Sequence, residues 1–166
     1  MKSIEELCNK FKSLNTEFKT LSENMPTYIG VNAVRYIKKN FKEKSFDGGA
    51  KWDKLSETTE EFYDSKKFGT AGTVYNKDPK NLLEQSGKLR DSIHYEFDKG
   101  KIWIGINSTV TLPYAKIHNE GGSFLMFGKI PKIMPQRKYL GWSAGLRDNI
   151  RKNALSKFNV LMRKYL

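Results

Sequence analysis

The sequence predicts a single α+β domain over residues 1–166, in which helices flank a small antiparallel β-sheet. Near the N-terminus, apolar residues recur every three or four positions, which is typical of a helix that packs along another helix. Polar and apolar residues alternate strictly over residues 92–98, as expected for a half-buried strand. Residues 143–166 combine one apolar stripe with many cations, and this pattern predicts a basic amphipathic C-terminal helix.

The segment 1–45 is predicted to form a helical hairpin. Ser3 and Glu6 have the S-x-x-E spacing of a capping box, which marks the start of a helix. Pro26 suits the first turn of a second helix, on which the first helix would pack. A helix of a neighbouring subunit is the alternative partner for the apolar stripe. The stripe consists of Ile4, Leu7, Phe11, Leu14, Phe18 and Leu21.

Residues 46–142 are predicted to hold an irregular crossing followed by the β-sheet. In the crossing, turn-forming residues dominate and periodicity is poor, so Trp52 and Leu55 are expected to anchor it to the core. A short helix is expected over residues 60–63. The alternating segment 92–98 is expected to pair with the segment that follows it in a β-hairpin.

A glycine-bounded stretch over residues 121–141 is predicted to be a long loop with an apolar tip. The segment that leads into it, residues 111–122, is predicted to form a short strand or a helical turn, and residues 138–140 a last strand. An exposed apolar cluster needs a cover, either a neighbouring protein or the chain's own sheet. We expect the cover to be a neighbour. The tip residues are Phe124, Leu125, Met126 and Phe127.

The net charge of +12 is concentrated at the end of the chain, because residues 129–166 hold ten basic residues and one acidic residue. This asymmetry indicates a polyanionic or acidic partner, and non-specific contact with DNA is the alternative function. No zinc finger, aromatic RNA-binding platform or helix-turn-helix pattern is present. The candidate polyanion contacts are Arg147, Arg151, Lys152, Lys157, Arg163 and Lys164.

Motifs for catalysis and for metal binding are missing from the sequence. It contains no phosphate-binding loop, no nucleophile elbow and no H-E-x-x-H motif. One cysteine and two histidines cannot build a structural zinc site unless carboxylates complete it. We therefore expect no enzyme activity, cofactor, metal or small-molecule substrate. No apolar run approaches the roughly 18 residues that span a bilayer, so we expect a cytoplasmic protein without membrane contact.

Five separated segments, taken in order, resemble the phage virion morphogenesis family, the tail-completion proteins of Mu-like and P2-like contractile-tailed phages. They are Phe46-Asp47-Gly48 together with Trp52, Leu55 and Thr58 or Thr59, then Leu83 to Ile93, Ile104-Gly105, Tyr114 to Gly121, and Pro135 to Gly141. Three elements depart from the family pattern. His118-Asn119-Glu120-Gly121 stands where H-Q-x-G is usual, and Pro135-Gln136-Arg137 stands where P-A-R is usual. Phe46-Asp47-Gly48 stands where P-D-G is usual, and the segment around residues 65–76 is longer than expected.

The resemblance implies a non-enzymatic structural protein that finishes a phage tail or joins it to the head. It also implies a homo-oligomeric ring as the working form, with other tail or connector proteins as partners. The protein would act in the host cytoplasm during assembly and then remain in the virion. The matched motif residues are Trp52, Gly87, Leu89, Tyr114, His118, Gly121 and Arg137.

The motif residues are expected to stabilise the fold rather than to contact a partner directly. Gly87 would supply a tight turn before the strand, where a Cβ would be costly. Tyr114 would pack against the sheet, and His118 would donate a hydrogen bond that fixes the start of the glycine loop. Arg137 would tie the return of that loop to a carboxylate or to backbone carbonyls.

Overall fold

The computed structural model describes residues 3–57, 82–83, 87–106, 112–126 and 128–165. Over this part the chain is a mixed α+β structure, as predicted. The prediction of one small sheet is wrong, because the described strands form two separate two-stranded sheets. The described elements, in chain order, are α1 (Ile4–Glu43), α2 (Lys88–Asp91), β1 (Ile93–Asp98), β2 (Lys101–Ile106), α3 (Leu112–Glu120), β3 (Gly122–Met126), β4 (Ile130–Met134) and α4 (Ala144–Tyr165).

The chain divides into two compact units. The helical unit comprises Met1–Tyr36, Tyr95–Ile104 and Ser143–Leu166, and the mixed unit comprises Ile37–His94 and Gly105–Trp142. Both α1 and the β1–β2 hairpin contribute residues to both units. None of the helices in the described part of the chain is long and apolar enough to cross a membrane.

The predicted helical hairpin over residues 1–45 is wrong, because α1 is one continuous helix of 40 residues with Pro26 inside it. A proline in a helix interior removes one backbone hydrogen bond but does not by itself supply a reversing turn. The capping box is confirmed: Glu6 N donates to Ser3 Oγ at 3.1 Å, and Ser3 N donates to Glu6 Oε2 at 3.3 Å.

The β1–β2 hairpin forms where the sequence predicted it. Lys99 and Gly100 join its strands, and both have positive φ, 47° and 76°, which suits the tight turns that match strand twist. Ahead of the hairpin, Gly87 has φ of 70°, as its predicted role in a tight turn requires. Leu89 and Ile93 follow it into the core and are buried.

The segment predicted as a long loop is largely a second β-hairpin. In the register of β3 with β4, Ser123 lies opposite Ile133 and Leu125 lies opposite Pro131. The segment before it is the helix α3. The expected last strand over residues 138–140 is wrong, since those residues form no strand.

The C-terminal helix α4 begins as predicted, directly after Ser143, whose Oγ accepts a hydrogen bond from Leu146 N at 3.1 Å. Its predicted stripe packs along α1, with Leu146 and Leu161 buried. The rings of Phe158 and Phe18 meet edge to face at 6.3 Å. The short helix expected over residues 60–63 lies outside the described residues.

Candidate assembly surface

The β3–β4 hairpin, residues 122–134, presents apolar side chains to solvent and is called the arm below. Residues directly opposite in an antiparallel pair point to the same face, so Leu125 and Ile133 share one face of the arm. Their side chains are 60% and 85% exposed. Phe124 is exposed on the other face, together with Ile130. The arm therefore has exposed apolar residues on both faces.

Of the predicted apolar tip, Phe124 and Leu125 are exposed as expected, whereas Phe127 and the side chain of Met126 lie outside the described part. Sequence reasoning missed Ile130 and Ile133. Residues 129–134 show no strict alternation of polar and apolar residues, and Pro131 argues against a central strand. In a two-stranded sheet both strands are edges, so a proline is tolerated.

A close backbone contact fixes the root of the arm. Gly121 has φ of 72°, and a Cβ at this position would lie 3.0 Å from the backbone nitrogen of Gln136. Only glycine allows that approach without strain. Beside it, Arg137 N donates to His118 O at 2.7 Å, and Gln136 Nε2 donates to Asn119 O at 3.1 Å. The end of α3 and the residues after β4 are thereby held together.

Asn119 holds the chain that leaves the arm. Its Oδ1 accepts hydrogen bonds from the backbone nitrogens of Tyr139 and Leu140, each at 3.0 Å. The backbone oxygen of Tyr139 accepts from Asn40 Nδ2 at 2.9 Å. These side-chain partners explain why residues 138–140 form no strand, because they occupy backbone groups that a neighbouring strand would otherwise pair.

The ring of Tyr139 anchors the root in the core of the mixed unit. It is buried and lies 5.0 Å from the ring of Phe41, which also meets Trp52 edge to face at 5.8 Å. The Tyr139 hydroxyl donates to Ala115 O at 3.1 Å, and burial raises the pKa of this hydroxyl above its ordinary value. Sequence reasoning assigned no role to Tyr139, Asn119 or Asn40, because each acts through distant partners.

Arg137 connects the root of the arm to the irregular segment that contains Trp52. Its Nε donates to Asp53 O at 3.1 Å and its Nη2 donates to Lys54 O at 3.0 Å. Of the two predicted kinds of partner, a carboxylate or backbone carbonyls, the guanidinium thus binds backbone carbonyls. Trp52 is buried, and its Nε1 donates to Lys138 O at 2.9 Å. The arginine side chain is itself buried, and burial lowers the pKa of its guanidinium. The predicted anchoring roles of Arg137 and Trp52 match these contacts.

The backbone carbonyl of His118 makes a contact at the root of the arm, and the predicted hydrogen bond donated by its ring stays a prediction. The ring is buried, and Nδ1 has no hydrogen-bond partner within the described structure. Burial first, and then the positive charge of Arg137, lower the pKa of His118 to about 4. Tyr114, expected against a sheet, is exposed, and its ring lies 4.2 Å from the imidazole.

The six candidate polyanion contacts on α4 are exposed, and three of them have partners among the described residues. Lys164 pairs with Glu17. Arg147 Nε lies 3.4 Å from Asp148 Oδ1, and Lys157 Nζ lies 4.9 Å from the centre of the Tyr28 ring. These pairs compete with any phosphate for the same cations.

Comparison with protein families assigns the class of the protein. The model of the phage virion morphogenesis family matches residues 2–159, nearly the whole chain, so the chain belongs to that family. The family is generally structural and non-enzymatic, and membership implies a structural role in phage assembly. No curated protein and no solved structure matches the chain.

Proposed function

We propose that this protein is a subunit of a ring that completes a phage tail or joins the tail to the head, and that the arm is its contact with the adjacent subunit or tail protein. The observation that carries the proposal is a hairpin that is fixed at its root and whose described apolar residues Phe124, Leu125, Ile130 and Ile133 are exposed. It would act in the host cytoplasm during assembly and stay in the virion.

The energetics of burial support the arm as the contact. Leu125 and Ile133 are more than half exposed, so covering them would contribute about 2–4 kcal/mol before the costs of association. Both strands of the arm are sheet edges with unpaired backbone groups, which can add to a neighbouring sheet. A ring uses the same head-to-tail contact between every pair of neighbours.

The alternative that the arm folds back on its own sheet is disfavoured by the exposure of both its faces. A fixed root also lowers the cost of docking, because little backbone entropy remains to be lost when the arm binds. The hydrogen bonds of Asn119 and Arg137 thus hold the root of the arm in place, although neither residue would contact the partner.

The test is a double variant, Leu125→Ser with Ile133→Ser, supplied to a phage that lacks its own copy of the gene. We expect the yield of tailed particles, counted by electron microscopy, to fall at least about tenfold, because this face loses its apolar contact. The melting temperature of the purified protein should stay unchanged. Phe97→Ser, an exposed apolar residue of the other hairpin, is the matched control and should assemble normally.

A large fall in melting temperature with normal particle yield would show that the arm belongs to the protein's own core, and the proposal would be wrong. Nucleic acid that co-purifies and is released steeply by salt would instead favour the DNA-binding alternative.

A further inference from the structure

The outer face of α4, opposite the buried Leu161, carries a straight row of polar side chains. At 3.6 residues per turn, positions 152, 156, 159 and 163 lie within about 60° of one another around the helix axis. All four side chains are exposed, and together with Leu155 and Val160 they line an open hollow on the surface. The four residues, called the row below, are Lys152, Ser156, Asn159 and Arg163.

The cations of the row are not engaged by the rest of the described chain. Elsewhere on α4, Arg147, Lys157 and Lys164 each have a partner, and the single acid of the helix, Asp148, lies beside Arg147. Neither the row nor its neighbour Arg151 makes an ion pair or a side-chain hydrogen bond with any described residue. Three exposed cations of the described helix, at positions 151, 152 and 163, are therefore open to an external anion.

Helix stability does not explain the middle of the row. Serine and asparagine are weaker helix formers than alanine, leucine or lysine, yet Ser156 and Asn159 occupy exposed interior positions of α4. Both can donate a hydrogen bond to an anionic oxygen without bringing a charge of their own. Their place between two cations fits an anion that extends along the helix.

The pattern favours nucleic acid over an acidic protein. A protein that docks on a helix covers an apolar stripe and leaves the charges at the rim. On α4 the centre of the face is polar, and Leu155 and Val160 lie on opposite sides of it, about 140° apart around the axis. Lysine, arginine, serine and asparagine are residue types that bind the phosphate oxygens of DNA. The row extends about 16 Å, which is the rise of about five base pairs.

We infer that the row, with Arg151, binds the phosphate backbone of duplex DNA irrespective of its sequence. Phosphate contacts carry no direct sequence information. Three cations make about three such contacts, and non-specific binding of this kind has a Kd of about 10⁻⁴ to 10⁻⁶ M at physiological salt. Binding of that strength does not retain DNA through purification. The inference therefore adds a second surface to the proposed function and does not rest on it.

Fluorescence anisotropy of a labelled duplex of about 20 base pairs, titrated with the full chain at about 50 to 200 mM salt, tests the row. The logarithm of the association constant should fall with the logarithm of the salt concentration with a slope of about −3, because each phosphate contact contributes about −0.9. Lys152→Gln with Arg163→Gln should reduce that slope by about two and weaken binding at least about tenfold at about 50 mM salt.

Lys39→Gln with Lys116→Gln is the matched control for charge. It removes the same two positive charges, but from exposed lysines that each already pair with a glutamate one turn away. This control should leave the slope unchanged. Ser156→Ala with Asn159→Ala should weaken binding a few-fold without changing the slope, since neither side chain is charged. The melting temperature should stay unchanged in both α4 variants, because all four side chains are exposed.

Absence of binding at about 50 mM salt, or an equal reduction of the slope in the control, would overturn the inference. Poly-glutamate that competes as strongly as DNA at equal charge would also overturn it and assign the row to an acidic protein. The arm variant, Leu125→Ser with Ile133→Ser, should bind DNA as the wild type does. Loss of DNA binding and loss of particle assembly therefore separate the failure of this inference from the failure of the proposed function.

Discussion

Acidification should destabilise the protein through one buried imidazole. The native pKa of His118 is about 4, below its ordinary value of 6.5, because of burial and the nearby charge of Arg137. Below pH 6.5 the unfolded chain therefore binds a proton that the native protein does not. Stability falls as the pH drops from about 6.5 to about 4, and His118 adds no further change below that.

The size of the effect follows from that difference. Between about pH 6.5 and pH 4, each pH unit lowers the free energy of unfolding by about 1.4 kcal/mol. The whole range of roughly 2.5 units therefore lowers it by about 3 kcal/mol. This is a substantial share of the roughly 5–15 kcal/mol that is typical of a domain.

Urea unfolding of the wild type and of His118→Gln, at a series of pH values from 7.5 to 4, isolates this contribution. Carboxylates titrate in the same range, but they are common to both proteins and cancel in the difference. We expect the difference in unfolding free energy to change by about 3 kcal/mol across the window. Parallel pH profiles for the two proteins, or an NMR signal assigned to the His118 imidazole that titrates near 6.5, would refute the reasoning.

Two substitutions test the root of the arm by the same urea assay. Gly121→Ala should destabilise by at least about 1 kcal/mol more than Gly100→Ala. Both have positive φ, but only at Gly121 would the Cβ approach the backbone of Gln136; equal losses would contradict this. Arg137→Lys should cost about 1–3 kcal/mol, because one ammonium cannot replace both carbonyl contacts of the guanidinium. An unchanged free energy of unfolding in Arg137→Lys would mean that these two hydrogen bonds do not stabilise the protein.

Local patterns in the sequence predicted their structures well. The capping box at Ser3 and Glu6 involves neighbours within one helical turn, and the alternation over residues 92–98 specifies a strand by itself. The start of α4 at Ser143 is equally local. In each case the deciding partners lie within a few residues, so the sequence carries the whole signal.

Predictions failed where distant partners decide the outcome. Pro26 has the residue type of a helix start but lies inside α1. The segment 138–140 has strand-like composition, yet its backbone bonds to Asn40, Trp52 and Asn119. The residue types Asn and Trp do not indicate that these side chains bind the backbone of residues 138–140. The sequence marks Asn119 only as a departure from a family motif.

The hydrogen bonds at the root of the arm also bear on how the chain folds. The bond from Asn40 to Tyr139 spans 99 positions of sequence, and those from Trp52 and Arg137 span 86 and 84. Contacts of such separation close large loops and form late. A chain still being synthesised cannot hold the arm at its native angle until Tyr139 has been added and has folded back. Incomplete chains therefore cannot present an arm that is fixed at its root.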